Sequence, residues 1–244
     1  METFSKNFLA AVPRLRQEIL AAFRSQEAKA GFRSVWEHFE DIVNPILIAC
    51  LRQPPFSIPT SDIREATSKS AYPDLKIRFQ GNVFAIDVKS GEDHMDPWYD
   101  ISRLDTYEEK HLDKYAGEFS VVVRWRGRKK MEVVDVYIEA TYQTVGYRAA
   151  SDGVSYRPYD GKLRPKPWSQ FEKGASFWRD LEHFRAGLAA SRNFRRKSYI
   201  LEWYEKMNPS QRSGLRQDLA RIDSGKPVEF DRDVQKTEGD ELAG

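Results

Sequence analysis

Cysteine is nearly absent from these 244 residues: Cys50 stands alone. That excludes an intramolecular disulfide and any zinc ribbon built on paired thiolates, and it fits a reducing cytosol. Long apolar runs are lacking too. No stretch approaches the roughly 18 residues needed to span a bilayer, and Glu2, Lys6, Arg14 and Arg16 interrupt the N-terminus where a secretion signal would be apolar. There is no internal repeat, and the net charge is only +2, which by itself argues for no partner. These absences predict a soluble, cytoplasmic protein with no membrane partner. The length suits one large domain or two small ones with a substantial core.

What is present is unevenly distributed. Between residues 157 and 197 there are eleven Lys or Arg against four Asp or Glu, whereas residues 229–244 hold six acids and two bases. A basic stretch of this kind suits a phosphate-binding face, since Lys and Arg contacts to phosphate supply most sequence-independent DNA affinity. It also suits a solvated helix face.

The most informative stretch is residues 72–89, YPDLKIRFQGNVFAIDVK. Two alternating apolar runs flank Gly81 and Asn82, a two-residue hairpin signal. With the turn on that pair, Phe79 meets Phe84, Ile77 meets Ile86, Leu75 meets Val88 and Asp74 meets Lys89. Side chains alternate along a strand, so Leu75, Ile77, Phe79, Phe84, Ile86 and Val88 share an apolar face that must be buried. Asp74, Asp87 and Lys89 then converge on the other face, within the roughly 5 to 8 Å over which cross-strand neighbours interact.

Two carboxylates this close repel unless a cation lies between them, and hard oxygen donors with open positions suit Mg²⁺. A lysine beside that ion can hold or deprotonate an attacking water. Such a set suits metal-assisted phosphodiester hydrolysis. The simpler reading is a surface hairpin with an Asp74–Lys89 salt bridge, but it leaves the position of Asp87 and the wholly apolar opposite face as coincidence.

Pro73-Asp74 followed by Asp87-Val88-Lys89 resembles the signature of the PD-(D/E)xK nuclease superfamily. Within it, Tyr72-Pro73-Asp74 and Ala85-Ile86-Asp87-Val88-Lys89 resemble type II restriction endonucleases of the EcoRV-like branch. In that family an upstream acid in a Phe-Glu-x4-Pro context joins the site, and Phe39-Glu40 with Pro45 matches the spacing. The resemblance covers residues 35–90. It implies an α/β fold, a mixed central β-sheet flanked by helices, with Asp74 and Asp87 as metal ligands, Lys89 positioning water and Glu40 completing the catalytic set. It implies Mg²⁺, with Mn²⁺ as a substitute, duplex DNA as substrate, and a homodimer on a palindromic site. A cognate DNA methyltransferase would be a functional companion rather than a bound partner.

Elsewhere the chain reads as scaffold and loops. Phe4, Phe8, Val12, Leu15, Ile19 and Phe23 have helical spacing across Pro13. Ser34 and Glu37 read as a capping box opening a helix whose stripe runs from Val35 to Cys50, with Glu40 at its margin; a contact from Glu40 to Asn44 is the alternative to a catalytic role. Residues 52–70 read as an irregular connection. Glu92, Asp93, His94 and Asp96 form an acidic loop, suited either to solvent or to a second ion. Residues 104–115 have a helical period, and 119–125 and 131–141 read as strands joined by a basic turn at 126–130. Residues 146–175 are expected to be recognition loops, with Lys162, Arg164 and Lys166 as DNA contacts through phosphate or guanine O6 and N7; a packed Pro-Trp loop is the alternative. Residues 176–206 return to helix, carrying Arg192, Arg195, Arg196 and Lys197, and a short helix is expected at 213–221. A single nuclease domain is thus expected over 1–206, with a charged tail at 207–244.

Three other readings stay open. A structure-specific repair nuclease or resolvase of the same superfamily would be more compact than a chain with about 150 residues beyond the lysine. A catalytically silent DNA-binding protein would not need the intact Asp-Asp-Lys set. The third is an α/β domain with no nucleic-acid role.

Overall fold

The computed structural model describes residues 2–27, 39–68, 71–127 and 131–206, together with Ala220 and Ser224. The chain divides into two compact units, Met1–Ser191 and Arg192–Gly244. The capping box at Ser34 and Glu37, the basic residues 128–130, nearly all of the 213–221 helix and the acidic tail lie outside the described residues. Among the described residues no helix is long and apolar enough to cross a membrane.

The first unit opens with α1 (Glu2–Glu27) and α2 (Phe39–Leu51). Pro13 and Pro45 are accommodated inside these helices, so α1 is one helix rather than two. There follow β1 (Ile63–Glu65), β2 (Leu75–Phe79), β3 (Asn82–Glu92), β4 (Gly117–Arg126) and β5 (Glu132–Ala140). These form one five-stranded sheet in the order β1-β2-β3-β4-β5. The β3–β4 pair is parallel and the other pairs are antiparallel, so the sheet is mixed, as expected for the α/β class. β1 falls inside the stretch expected to be irregular. Three residues with one buried side chain are too few for an alternation to show.

After β5 come α3 (Thr141–Thr144), the small β6–β7 ribbon (Tyr147–Arg148 and Gly153–Val154), α4 (Trp168–Glu172) and α5 (Leu181–Lys206). Asp180 stops the last helix from starting earlier: its carboxylate accepts the His183 N–H at 2.8 Å, an N-cap. Residues 104–112 form a 3-10 turn followed by a π-type turn instead of the expected α-helix, although Leu104, Tyr107, His111 and Tyr115 are buried as that period required.

The two faces of the sheet have separate cores. Leu75, Ile77, Phe84, Ile86, Val88, Phe119, Val121, Val123, Val136 and Ile138 pack with α1 and α2. Phe4 sits at the centre of this core, 1% exposed, with its ring centroid 4.1 Å from that of Phe84 and 5.5 Å from that of Phe56. The opposite face, marked by Val122, packs under Tyr99, Leu104, Tyr107, Trp168, Trp178 and Phe184. A Cβ at Gly91 would lie 2.7 Å from the Trp168 ring, so glycine there lets the indole lie against β3 and donate to the carbonyls of Glu92 and Met95.

The hairpin register differs from the expected one. Phe79 pairs with Asn82, Ile77 with Phe84 and Leu75 with Ile86. The turn is therefore Gln80-Gly81, with φ of +49° and +76°, the left-handed pair that a two-residue hairpin turn of the primed type requires. The whole ladder moves by two residues. Because side chains alternate with period two, every residue keeps its expected face.

Truncating Phe4 to Ala removes the ring on which the helix-side core closes and should cost about 3–5 kcal/mol. In urea denaturation the midpoint should fall with the slope little changed. A loss below about 1 kcal/mol would mean that α1 is not integral to this core.

Candidate active site

Asp74 lies one residue before β2, and continuing the observed register sets it opposite Asp87 rather than Lys89. Its carboxylate is fixed by an unusual partner for a strand pair: Asp74 Oδ2 accepts the backbone N–H of Val88 at 2.5 Å. Lys89 turns to its own strand, with Nζ 2.6 Å from Asp87 Oδ2. The expected Asp74–Lys89 pairing is thus replaced by an Asp74–Asp87 neighbourhood with the lysine on Asp87. The three side chains share the face that the alternation assigned to them.

Both carboxylates are buried, Asp74 at 7% and Asp87 at 4% exposure. Burial, with the Asp87 charge beside it, pushes the Asp74 carboxyl up to about 7; the Val88 N–H and Lys89 oppose the shift and Glu40 adds to it. Burial works against the Lys89 ammonium, but the carboxylates of Asp87, Asp74 and Glu40 outweigh it and raise the lysine's pKa. Lys89 is therefore an ammonium at neutral pH. It can donate hydrogen bonds and neutralise negative charge, and it does not act as a base while Asp87 holds it.

Glu40 stands in the first turn of α2, half-buried, close enough for its charge to act on both Asp74 and Lys89. Among the described residues no group of three or more His, Cys, Asp and Glu side chains converges as a ready metal cage. The donor set nonetheless fits a hard divalent cation. Two buried carboxylates face each other, and burial together with the Asp87 charge holds a proton on Asp74 to near neutrality. A cation that displaces that proton relieves the repulsion with oxygen ligands of the kind Mg²⁺ takes.

The neighbouring strand adds a network that the motif did not indicate. In the β3–β4 ladder Glu118 pairs with Ala85 and Ser120 with Asp87, so Glu118 lies on the same face, one step from the site. Its carboxylate accepts from the Tyr72 hydroxyl at 2.5 Å and meets His111 Nδ1 at 2.8 Å, while His111 Nε2 meets Ser102 Oγ at 2.7 Å. Tyr107 stacks flat on His111 at 4.5 Å. Burial, then the charges of Glu118, Tyr107 and Asp87, keep the Tyr72 phenol protonated far above its ordinary range. The turn that delivers Asp74 is thus anchored by the residue two before it. Tyr72 was visible in sequence, but its partners come from 30 or more residues away.

The expected DNA contacts separate. Lys166 is fully buried, with Nζ 2.5 Å from Glu139 Oε2 and 2.7 Å from the Ala175 carbonyl; this is an interior ion pair, not a surface contact. Glu139 lies across from Ser120, in the same row of the sheet as Asp87. Lys162 Nζ reaches Asp100 Oδ2 at 2.5 Å, and Arg164 Nη1 reaches Asp100 Oδ1 at 3.0 Å and the Tyr99 carbonyl at 3.2 Å. In the acidic loop, Asp93 is taken by Arg124 and Glu92 lies 3.1 Å from His94, so these two acids already have partners.

No protein-family model matches this chain, and no curated protein matches it. Among solved structures, one described as NlaIV restriction endonuclease is similar at 15% identity, covering 78% of this chain and 75% of that chain, with a TM-score of 0.44. The chemistry is read from the side chains.

Because the folded protein binds the Asp74 proton more tightly than the unfolded chain, that stabilisation is present below about pH 4 and is lost as pH rises to about 7. The loss should be on the order of 2–4 kcal/mol. Asp74→Asn keeps an oxygen for the Val88 N–H and should flatten the profile. Urea midpoints between pH 4 and 8 for both proteins test this, and identical slopes would exclude it.

Proposed function

We propose that this chain is a Mg²⁺-dependent endonuclease that hydrolyses phosphodiester bonds in duplex DNA. The observation that carries the reading is the juxtaposition of Asp74, Asp87 and Lys89 on one sheet face, two buried carboxylates with an ammonium 2.6 Å from one of them. Asp74 and Asp87 would hold the ion, with Mn²⁺ able to replace it. Bound there, the ion would polarise a phosphoryl oxygen and make its water a stronger nucleophile.

The protein's own groups do the rest. The Val88 N–H fixes Asp74, and Asp87 fixes the Lys89 ammonium, so neither must be ordered when substrate arrives. Lys89 donates to the attacking water and to a non-bridging phosphate oxygen, offsetting the charge that builds in the transition state. Glu40, acting on both groups, orients the lysine or the water. Water's oxygen joins phosphorus as the P–O3′ bond breaks, the water gives up one proton to solvent and O3′ takes one up from solvent, leaving a 5′-phosphate and a 3′-hydroxyl. A type II restriction role, which the motif's resemblance favours, adds a specific palindromic site cut by a homodimer and a companion methyltransferase that protects host DNA.

Incubated with long viral DNA and Mg²⁺, the full chain should produce discrete fragments, and EDTA should abolish them. Lys89→Ala and Asp87→Ala should each cut ~10²–10⁴-fold more slowly while Lys89→Ala still binds DNA in a gel shift. DNA left intact across salt and divalent metals, or cutting indifferent to Lys89→Ala, would overturn the proposal. Random nicking would redirect it to a structure-specific nuclease.

A further inference from the structure

Outside the carboxylate site, one cationic group is held in a way that its own fold does not complete. Arg164 is 8% exposed, and its Nη1 is taken by Asp100 and the Tyr99 carbonyl. The Nε and Nη2 nitrogens, which form the two-pronged edge of the guanidinium, are buried with no hydrogen-bond partner. The flat face is covered by the Trp98 indole, 3.5 Å from the guanidinium carbon to the ring centroid, although Trp98 itself is 66% exposed. Buried charged donors without acceptors are costly, and this edge matches a ligand with two acceptors in one plane.

The segment carrying Trp98 is in register with the one carrying Arg164: the Leu163 N–H donates to Ser102 O at 2.7 Å, and Arg103 bridges Lys162. The same segment reaches the catalytic face, because the buried Tyr99 phenol feels the charges of Glu139 and Asp87. The surroundings disfavour a phosphate. Asp100 and Asp160 stand among Arg157, Lys162 and Arg164, so two carboxylates already share the positive charge that a phosphate would need.

We infer that Arg164 is a base-reading residue whose Nε–Nη2 edge takes the O6 and N7 acceptors of a guanine in duplex DNA, with Trp98 stacked on the face of the guanidinium. The inference rests on the nuclease reading and names part of its substrate selectivity. A guanine bonded to that edge lies in the guanidinium plane, so an indole stacked on the arginine is also placed to cover the edge of the base.

The test uses the full chain carrying Asp87→Ala, which binds without cutting. Duplexes selected from a random pool should share a guanine. Replacing that guanine with 7-deazaguanine, which lacks the N7 acceptor, should weaken binding about ten- to hundredfold. Arg164→Gln should no longer distinguish the two bases. Trp98 emission, obtained by difference from Trp98→Phe, should change with the guanine duplex and not with the 7-deaza duplex; this arm and the base replacement need no change at Arg164. Equal affinity for both duplexes, with Arg164→Gln weakening all sequences alike, would mean a phosphate contact and would overturn the inference. If the native chain cuts DNA while no guanine dependence passes through Arg164, the nuclease reading stands and this inference falls. Absence of both cutting and binding brings down both.

Discussion

The site depends on one hydrogen bond, from the Val88 N–H to the Asp74 carboxylate. Asp74 is outside the regular ladder, one residue before β2, so the strand pairing alone does not fix where its side chain goes. Accepting a backbone donor of β3 brings it to Asp87 and holds two like charges together in a buried place. That bond lowers the cost of the arrangement without cancelling it. Burial, with the remaining repulsion, holds a proton on Asp74 to near neutrality, and Lys89 on Asp87 supplies the balancing positive charge.

The sheet around this pair is built so that one face can be expensive. On the helix side the apolar residues of β2 to β5 and the rings of Phe4, Phe8 and Phe23 form a continuous core. The other face carries Asp87, Lys89, Glu118, Ser120 and Glu139 beside a second, more aromatic core. Glu118 and Glu139 are both satisfied by residues from other segments, His111 with Tyr72 and Lys166 respectively. Asp74 and Asp87 have only a backbone N–H and a lysine between them in the bonds described, which sets this pair apart from its polar neighbours.

The helix-side core and the face of every hairpin residue were legible because they rest on alternation alone. The register was not, for a local reason: Gln80 takes a left-handed backbone that its residue type does not announce, while Gly81-Asn82 offers the commoner-looking turn. A slip of two residues moves Asp74 from Lys89 to Asp87 and leaves the face unchanged. Glu40 was legible only through its spacing to Pro45, and the structure brings its charge to bear on Asp74 and Lys89. The Glu118 network and the burial of Lys166 were not legible, since both follow from β4 running parallel to β3 and from loops returning across more than twenty residues. Lys166 shows the difference most directly. In sequence it is one more base in a basic stretch, and in the fold it neutralises a buried glutamate.

Gly91 ties these parts together mechanically. With no side chain there, the Trp168 indole rests on β3 two residues beyond Lys89 and bonds to the carbonyls of Glu92 and Met95. The strand that bears Lys89, the loop that leads to Trp98 and the start of α4 are therefore clamped at one point. The end of β3 acts as a shared footing, so the loop and the lysine are not positioned independently. A methyl group at position 91 would lift the indole and loosen the footing on both sides at once, although it touches neither the carboxylates nor Arg164.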